Sequence, residues 1–167
     1  MSISELLLPE FDREMANTRK TLERVPLDKL DWKPHPKSGT LGWLASHVAT
    51  VTRFATTAIT TDSWNISDPD PNRGEVITGS REQLLGAFDR VTATARQAIA
   101  GAADEHLKKP WKLLYGEQTI FTLPRYEVVR NFTLNHLIHH RAQLTVYLRM
   151  NDVPLPALYG PSADEQM

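Results

Sequence analysis

The chain has 167 residues, a net charge of -1 from 19 Lys and Arg against 20 Asp and Glu, and no cysteine. That length suits one domain over residues 1–167 with a sizeable core. The composition excludes disulfides, thiolate metal ligands and a cysteine nucleophile, and an even charge balance without a basic block argues against nucleic acid as a partner.

Residues Met1 to Glu10 lack the basic start of a signal peptide, and no apolar run reaches the length of a membrane span. A soluble, cytoplasmic protein is therefore expected, with no membrane partner. The first helix is expected from Ser4 to Arg24, where Leu7, Phe11, Met15, Thr18 and Leu22 recur at three- and four-residue steps and Pro26 follows. Asp28 to Thr40, with Pro34, Pro36 and Gly39, reads as a loop. A second helix is expected from Leu41 to Thr60, capped by Thr40 or Ser38, with the stripe Leu41, Leu44, Val48, Val51, Ala55 and Ala58. His47 lies about 70° off the centre of that stripe, on its flank.

Asp62 to Gly79 is too long for a tight turn and suits a crossover or a lid. Helix three begins after Ser80, with Gln83 completing a capping pattern, and stops near Gly101. His106 reads as solvated. Residues 110–123 are consistent with a short hairpin, and Pro124 suits the start of a fourth helix. The tail, Asn151 to Met167, reads as irregular, with Leu155, Leu158 and Tyr159 available to pack on the helices.

The fourth helix carries the chemistry. Asn131 to Met150 holds neither Gly nor Pro, and Val129, Phe132, His136, His140, Gln143 and Tyr147 fall in one row. His136 and His140, at i and i+4, project from one side and could share a metal ion. Such a pair also occurs in helices with no ligand role. Two imidazoles and an amide within an apolar row, together with His47, favour the metal. Gln143 lines the pocket, hydrogen-bonds a bound water or satisfies a buried backbone group, and Arg141, about 140° from His136, reads as outside the cavity. Four amphipathic helices imply an all-α four-helix bundle, and the long second connection implies a crossover between helices two and three.

The pattern Leu41-Gly42-Trp43-Leu44-Ala45-Ser46-His47, followed by His136-Leu137-Ile138-His139-His140-Arg141-Ala142-Gln143, resembles the DinB/YfiT-like family. The tail from Asp152 to Gly160 has the family's look as well. The resemblance implies an up-down-down-up bundle and a divalent metal held by three histidines, which map to His47, His136 and His140. Relatives of this kind include transferases and isomerases that use low-molecular-weight thiols such as bacillithiol or mycothiol. Ala142 stands where the family often has Gly, which bears on helix packing and not on the ligands. His139, about 100° around from His140, reads as a boundary residue.

Two function classes follow. The first is a metal-dependent enzyme, using three imidazoles and open coordination positions for thiol-dependent transfer or hydrolysis of a small substrate; with no cysteine, the thiol comes from a cosubstrate. The second is a metal-containing binding or stress-response protein without turnover. All-histidine ligation suits Zn, Ni or Fe. A homodimer is also expected, because Leu134, Leu137, Ile138, Leu144 and Leu148 form a second apolar surface on helix four, away from the histidine row.

Overall fold

The computed structural model describes residues 1–69, 77 and 79–166. Helix α1 (Ile3–Leu22) starts with a capping box, in which Ser2 Oγ accepts from the Glu5 N–H and the Glu5 carboxylate accepts from the Ser2 N–H. The expected second helix is two helices, α2 (Leu41–Thr50) and α3 (Arg53–Thr60), parted at Val51 and Thr52. Two bonds of the tighter i to i+3 kind close the joint, Phe54 N–H to Val51 O and Ala55 N–H to Thr52 O. Ser46 and Thr50 donate their hydroxyls to carbonyls four residues back, a pattern that bends helices. The stripe from Leu41 to Ala58 stays buried across the joint. Helix α4 (Arg81–Gly101) begins as expected, with Ser80 Oγ accepting from the Gln83 N–H.

The all-α expectation is corrected by a three-stranded mixed sheet. Strand β1 (Ser63–Asn65) lies within the connection expected to be only a crossover or lid. It pairs in parallel with β2 (Pro110–Tyr115), which pairs antiparallel with β3 (Gln118–Pro124). An up-down-down-up bundle with a plain crossover is therefore not the whole architecture. The rest of the lid expectation falls on residues 70–76 and 78, outside the described residues. Short, loop-like β1 gave no alternating pattern to read, whereas the β2–β3 hairpin did. Gly116 sits in its turn at φ 58°, which a side chain would strain.

The helices share one core, built from Phe11, Leu22, Leu44, Val48, Phe88, Ile99 and Leu144 among others. Helix α1 packs on α4 and on the last helix, α7 (Asn135–Met150), while α2 touches both of them. A smaller cluster of Ala58, Trp111, Leu113 and Val128 seats the sheet on the end of α3. Buried Arg125 fastens the same junction, donating to the carbonyls of Pro110 (2.8 Å) and Thr61 (2.9 Å) and to Asp62 Oδ1 (2.6 Å). Short helix α5 (Asp104–Leu107) carries His106, which is not simply solvated: its Nε2 is 2.7 Å from the Ile59 carbonyl oxygen and so donates to it. No helix among the described residues is long and apolar enough to cross a membrane.

The fourth helical stretch is composite. One turn, α6 (Arg125–Glu127), leads into a π-helical segment, Val128–Leu134, and then into α7 (Asn135–Met150). The buried face of α7 is Leu137, Arg141, Leu144 and Leu148, continuing from Leu134. The expected order of its two stripes is thus reversed. The leucine row faces the core, and the histidine row runs along its flank, half-buried. Of the surface on which a homodimer was expected, Leu134, Leu137, Leu144 and Leu148 are fully buried in the chain's own core and Ile138 is half-buried.

Arg141 points away from the histidines, as expected, into the core. Its guanidinium meets Glu14 on α1 at 2.7 Å with both side chains 2% exposed, and also donates to the Glu14 carbonyl and to Thr18 Oγ1. The Tyr159 hydroxyl joins this pair, donating to Glu14 Oε2 at 2.6 Å. The tail thereby packs on the helices. Ion pairs from Arg24 to Glu165 and from Arg149 to Asp164 hold it further along.

Candidate metal centre

Helices α2 and α7 bring His47, His136 and His140 together. Each offers one ring nitrogen, and those atoms all lie within 4.8 Å of one another. The Nε2 atoms of His47 and His136 are 3.3 Å apart. Ring centroids are separated by 4.6 Å for His47 and His140 and by 4.7 Å for His136 and His140. The i, i+4 spacing on α7 and the flank position on α2 deliver this convergence.

Aromatic rings wall the cluster. Trp43, one turn before His47 on α2, stacks on it at 5.2 Å with planes only 5° apart. Phe54 and Phe132 stand 5.8 and 5.7 Å from the His136 ring. Gly39 is required here, because a Cβ at that position would lie 2.5 Å from a Trp43 ring carbon. The π-helical segment supplies Phe132, and such segments recur beside functional sites.

Removal from water lowers the pKa of all three histidines, and nearby imidazoles, His139 among them, add to it. His47 and His136 are each brought down to about 4, first by burial and then by neighbouring imidazoles. His140 is lowered by burial, against a hydrogen bond to the Gln143 side chain that favours its protonated ring. Neutral imidazole is the ligating form, so near neutral pH the cluster stands ready to coordinate.

The remaining ring nitrogens define the tautomers. His140 Nδ1 is 2.7 Å from Gln143 Oε1. Since a glutamine oxygen only accepts, Nδ1 carries the proton and Nε2 keeps its lone pair for the cluster. His136 Nδ1 is buried without a hydrogen-bond partner. The Phe132 carbonyl one turn back favours its protonated ring but lies outside hydrogen-bond geometry. Gln143 thus neither lines an interior pocket nor satisfies a backbone group; it orients the His140 ring from the exposed side. Its spacing of three from His140 was the available signal. His139 is exposed, with its ring 4.9 Å from that of His140. The walls formed by Trp43 and Phe54 were not identified from sequence, although Trp43 precedes His47 by four residues.

The family model of the DinB superfamily matches residues 10–144. The chain is 26% identical over 158 residues to the uncharacterized protein YrdA of Bacillus subtilis (strain 168), covering 95% of this chain and 89% of that one. A DinB-like protein from Bacillus cereus ATCC 10987 superposes with a TM-score of 0.67 at 21% identity, covering 91% of this chain and 95% of the other. The DinB-like protein YjoA of Bacillus subtilis gives a TM-score of 0.68 at 19% identity, covering 90% and 96%. At those identities the two structures speak for the fold alone.

Proposed function

The chain belongs to the DinB superfamily, and we propose that His47, His136 and His140 together bind one divalent metal ion, zinc, nickel or iron, at a site that serves thiol-dependent transfer or hydrolysis of a small substrate. The observation that carries this reading is the convergence of three neutral, half-buried imidazoles from two helices within 4.8 Å. The residues fit the ion on chemical grounds. Two nitrogens at about 2.0–2.1 Å from a tetrahedral ion lie roughly 3.3 Å apart, which matches the 3.3 Å between the Nε2 atoms of His47 and His136. Without an ion, those two nitrogens meet one another through one shared proton.

When bound, the ion supplies Lewis acidity, lowering the pKa of a water or thiol or polarising a carbonyl. The chain's own residues do the rest. Burial keeps His47 and His136 unprotonated, and Gln143 holds the proton on His140 at Nδ1. Trp43, Phe54 and Phe132 keep water from the sides of the cluster. The half-exposed flank of α7 leaves an approach for a small molecule. A thiol must arrive as a cosubstrate, since the chain has no cysteine.

One observation favours the second reading, a metal-containing binding or stress-response protein. Among the described residues the cluster contains no carboxylate that could act as a general acid or base. Elemental analysis of purified protein tests the ion. Near-stoichiometric metal in the wild type and a large loss in His136→Ala are expected, and equal metal in the triple alanine variant refutes the site. Assay of metal-loaded against metal-stripped protein, with a small thiol and an electrophile, tests turnover. Bound metal without turnover supports the second reading.

A further inference from the structure

The three converging imidazoles are each held in a different way. Rotation about the Cβ–Cγ bond of a histidine has broad minima, so something outside the ring must choose its plane. A ligand histidine is normally oriented by a hydrogen bond from its second nitrogen. Gln143 makes that bond to His140, and Phe54 and Phe132 pack against the His136 ring. His47 has no such bond. Among the described residues its one hydrogen-bond contact runs through Nε2, to His136, and Nδ1 has none. What lies along its plane is the Trp43 indole, parallel to within 5°.

The indole is itself fixed. A Cβ at Gly39 would lie 2.5, 3.1 and 3.2 Å from Cε3, Cζ3 and Cδ2 of Trp43, so the benzenoid half of the ring rests on the Gly39 main chain. Gly39 does not take a positive φ, so the obstacle to a side chain there is the indole and not the backbone. The Gly39 carbonyl accepts from the Tyr147 hydroxyl at 3.4 Å, and the Leu41 N–H donates to the Trp32 carbonyl at 2.8 Å, closing the loop before α2. Trp32 stands edge-on to Tyr147, with ring centroids 5.4 Å apart. Tyr147 lies on α7, about two turns past His140. Support thus runs from the helix that carries His136 and His140, through Gly39 and Trp43, to the one ring that α2 contributes.

We propose that Trp43, clamped against Gly39, is the positioning residue of His47: it sets the ring plane that turns Nε2 towards His136. The service of that plane to a metal ion rests on the metal reading above; the setting of the plane does not. A flat ring suits the task, because stacked aromatic pairs prefer particular relative geometries, whereas an aliphatic chain packs against an imidazole at many tilts. The stack also fixes the ring without engaging either of its nitrogens.

Zinc titration of the full chain against a chromophoric chelator, together with nuclear Overhauser contacts in the metal-free protein, tests the proposal. Trp43→Leu should weaken zinc binding about 3–10-fold, the range set by one aromatic pair, and Trp43→Phe, which keeps a flat ring, should restore most of it. Gly39→Ala should weaken binding comparably, although the added methyl meets the indole and not a histidine. It should add nothing further in the Trp43→Leu background, because it acts through the indole. Gly101→Ala, where a Cβ meets nothing within 4 Å, is the control and should bind as the wild type does. In the metal-free protein, cross-peaks between ring protons of His47 and His136, whose centroids are 5.1 Å apart, should be present in the wild type and Trp43→Phe and lost in Trp43→Leu and Gly39→Ala. Trp43 is 37% exposed, so leucine should be tolerated there, which circular dichroism checks. Additive losses from the two positions, no recovery in Trp43→Phe, or cross-peaks unchanged in both Trp43→Leu and Gly39→Ala overturns the proposal. A wild type that takes up no zinc defeats the metal reading alone, and the cross-peaks then decide the clamp; zinc uptake with unchanged cross-peaks defeats the clamp alone.

Discussion

Gln143→Ala removes the acceptor that fixes the tautomer of His140 while leaving all three imidazoles in place. The lost contact is the 2.7 Å bond from His140 Nδ1–H to Gln143 Oε1. A neutral hydrogen bond of this kind is worth about 0.5–1.5 kcal/mol net, and loss of a ligand's outer partner lowers metal affinity by roughly 10–100-fold. Gln143 is exposed, so water can take over part of the role, which places the effect at the bottom of that range and below it. Zinc affinity should fall about 3–10-fold, or ~0.7–1.4 kcal/mol. Competition against a chromophoric chelator at neutral pH reads this directly, with the thermal midpoint of the metal-free protein as a check on folding. Gln143→Glu should bind zinc at least as tightly as the wild type, because a carboxylate is the stronger acceptor and makes the imidazole a better donor to the ion. Unchanged affinity in Gln143→Ala, or weaker binding in the glutamate variant than in the alanine one, would refute the role given to this residue.

In the metal-free protein, His47 and His136 titrate near 4 when folded and near 6.5 when unfolded, so the unfolded chain binds more protons between those values. Stability should therefore rise with pH across that window, by on the order of 1 kcal/mol per histidine once solvent screening is allowed for. Urea unfolding at both ends of the window, compared with the His47→Ala/His136→Ala variant, isolates the contribution; the same pH slope in both would contradict it. Glu14→Ala strands the buried Arg141 charge and should cost about 3–5 kcal/mol, while Tyr159→Phe, which removes one hydroxyl from the pair, should cost about 1 kcal/mol. Denaturant unfolding checks both, and a near-zero value for Glu14→Ala would mean that the pair is hydrated.

The histidine cluster was legible because two of its members share a helix at a spacing that admits few arrangements, and the third matched a family pattern. The orientation of that helix was not. A wheel centred on His136 puts the imidazole row in the stripe expected to face the core, although Leu137, Leu144 and Leu148 form the larger apolar row. Arg141 lies within that row, and burial of its charge requires a partner. Its partner Glu14 stands 127 positions earlier, and no local pattern announces a pairing across that separation. The same holds for Arg125, which bonds to Thr61 and Asp62 more than sixty residues away. The β2–β3 hairpin was legible from its own residues. Strand β1 was not, because three residues paired in parallel with a distant strand carry no period.

The π-helical segment separates two jobs that one continuous α-helix would bind together. Each residue in a helix advances the side-chain direction by about 100°, so deleting one residue between Val128 and Leu134, and thereby restoring regular winding, would turn everything upstream by about that angle relative to α7. His136 and His140 would keep their mutual spacing. Phe132 would swing off the face of His136, and Val128 would leave its seat against Trp111 and Leu113. A single-codon deletion or insertion here thus acts as a rotary adjustment: it re-aims the aromatic wall and the attached hairpin while the ligand pair stays fixed. Lineages that differ in length at this one segment should differ in what their pockets admit before they differ in what their histidines hold.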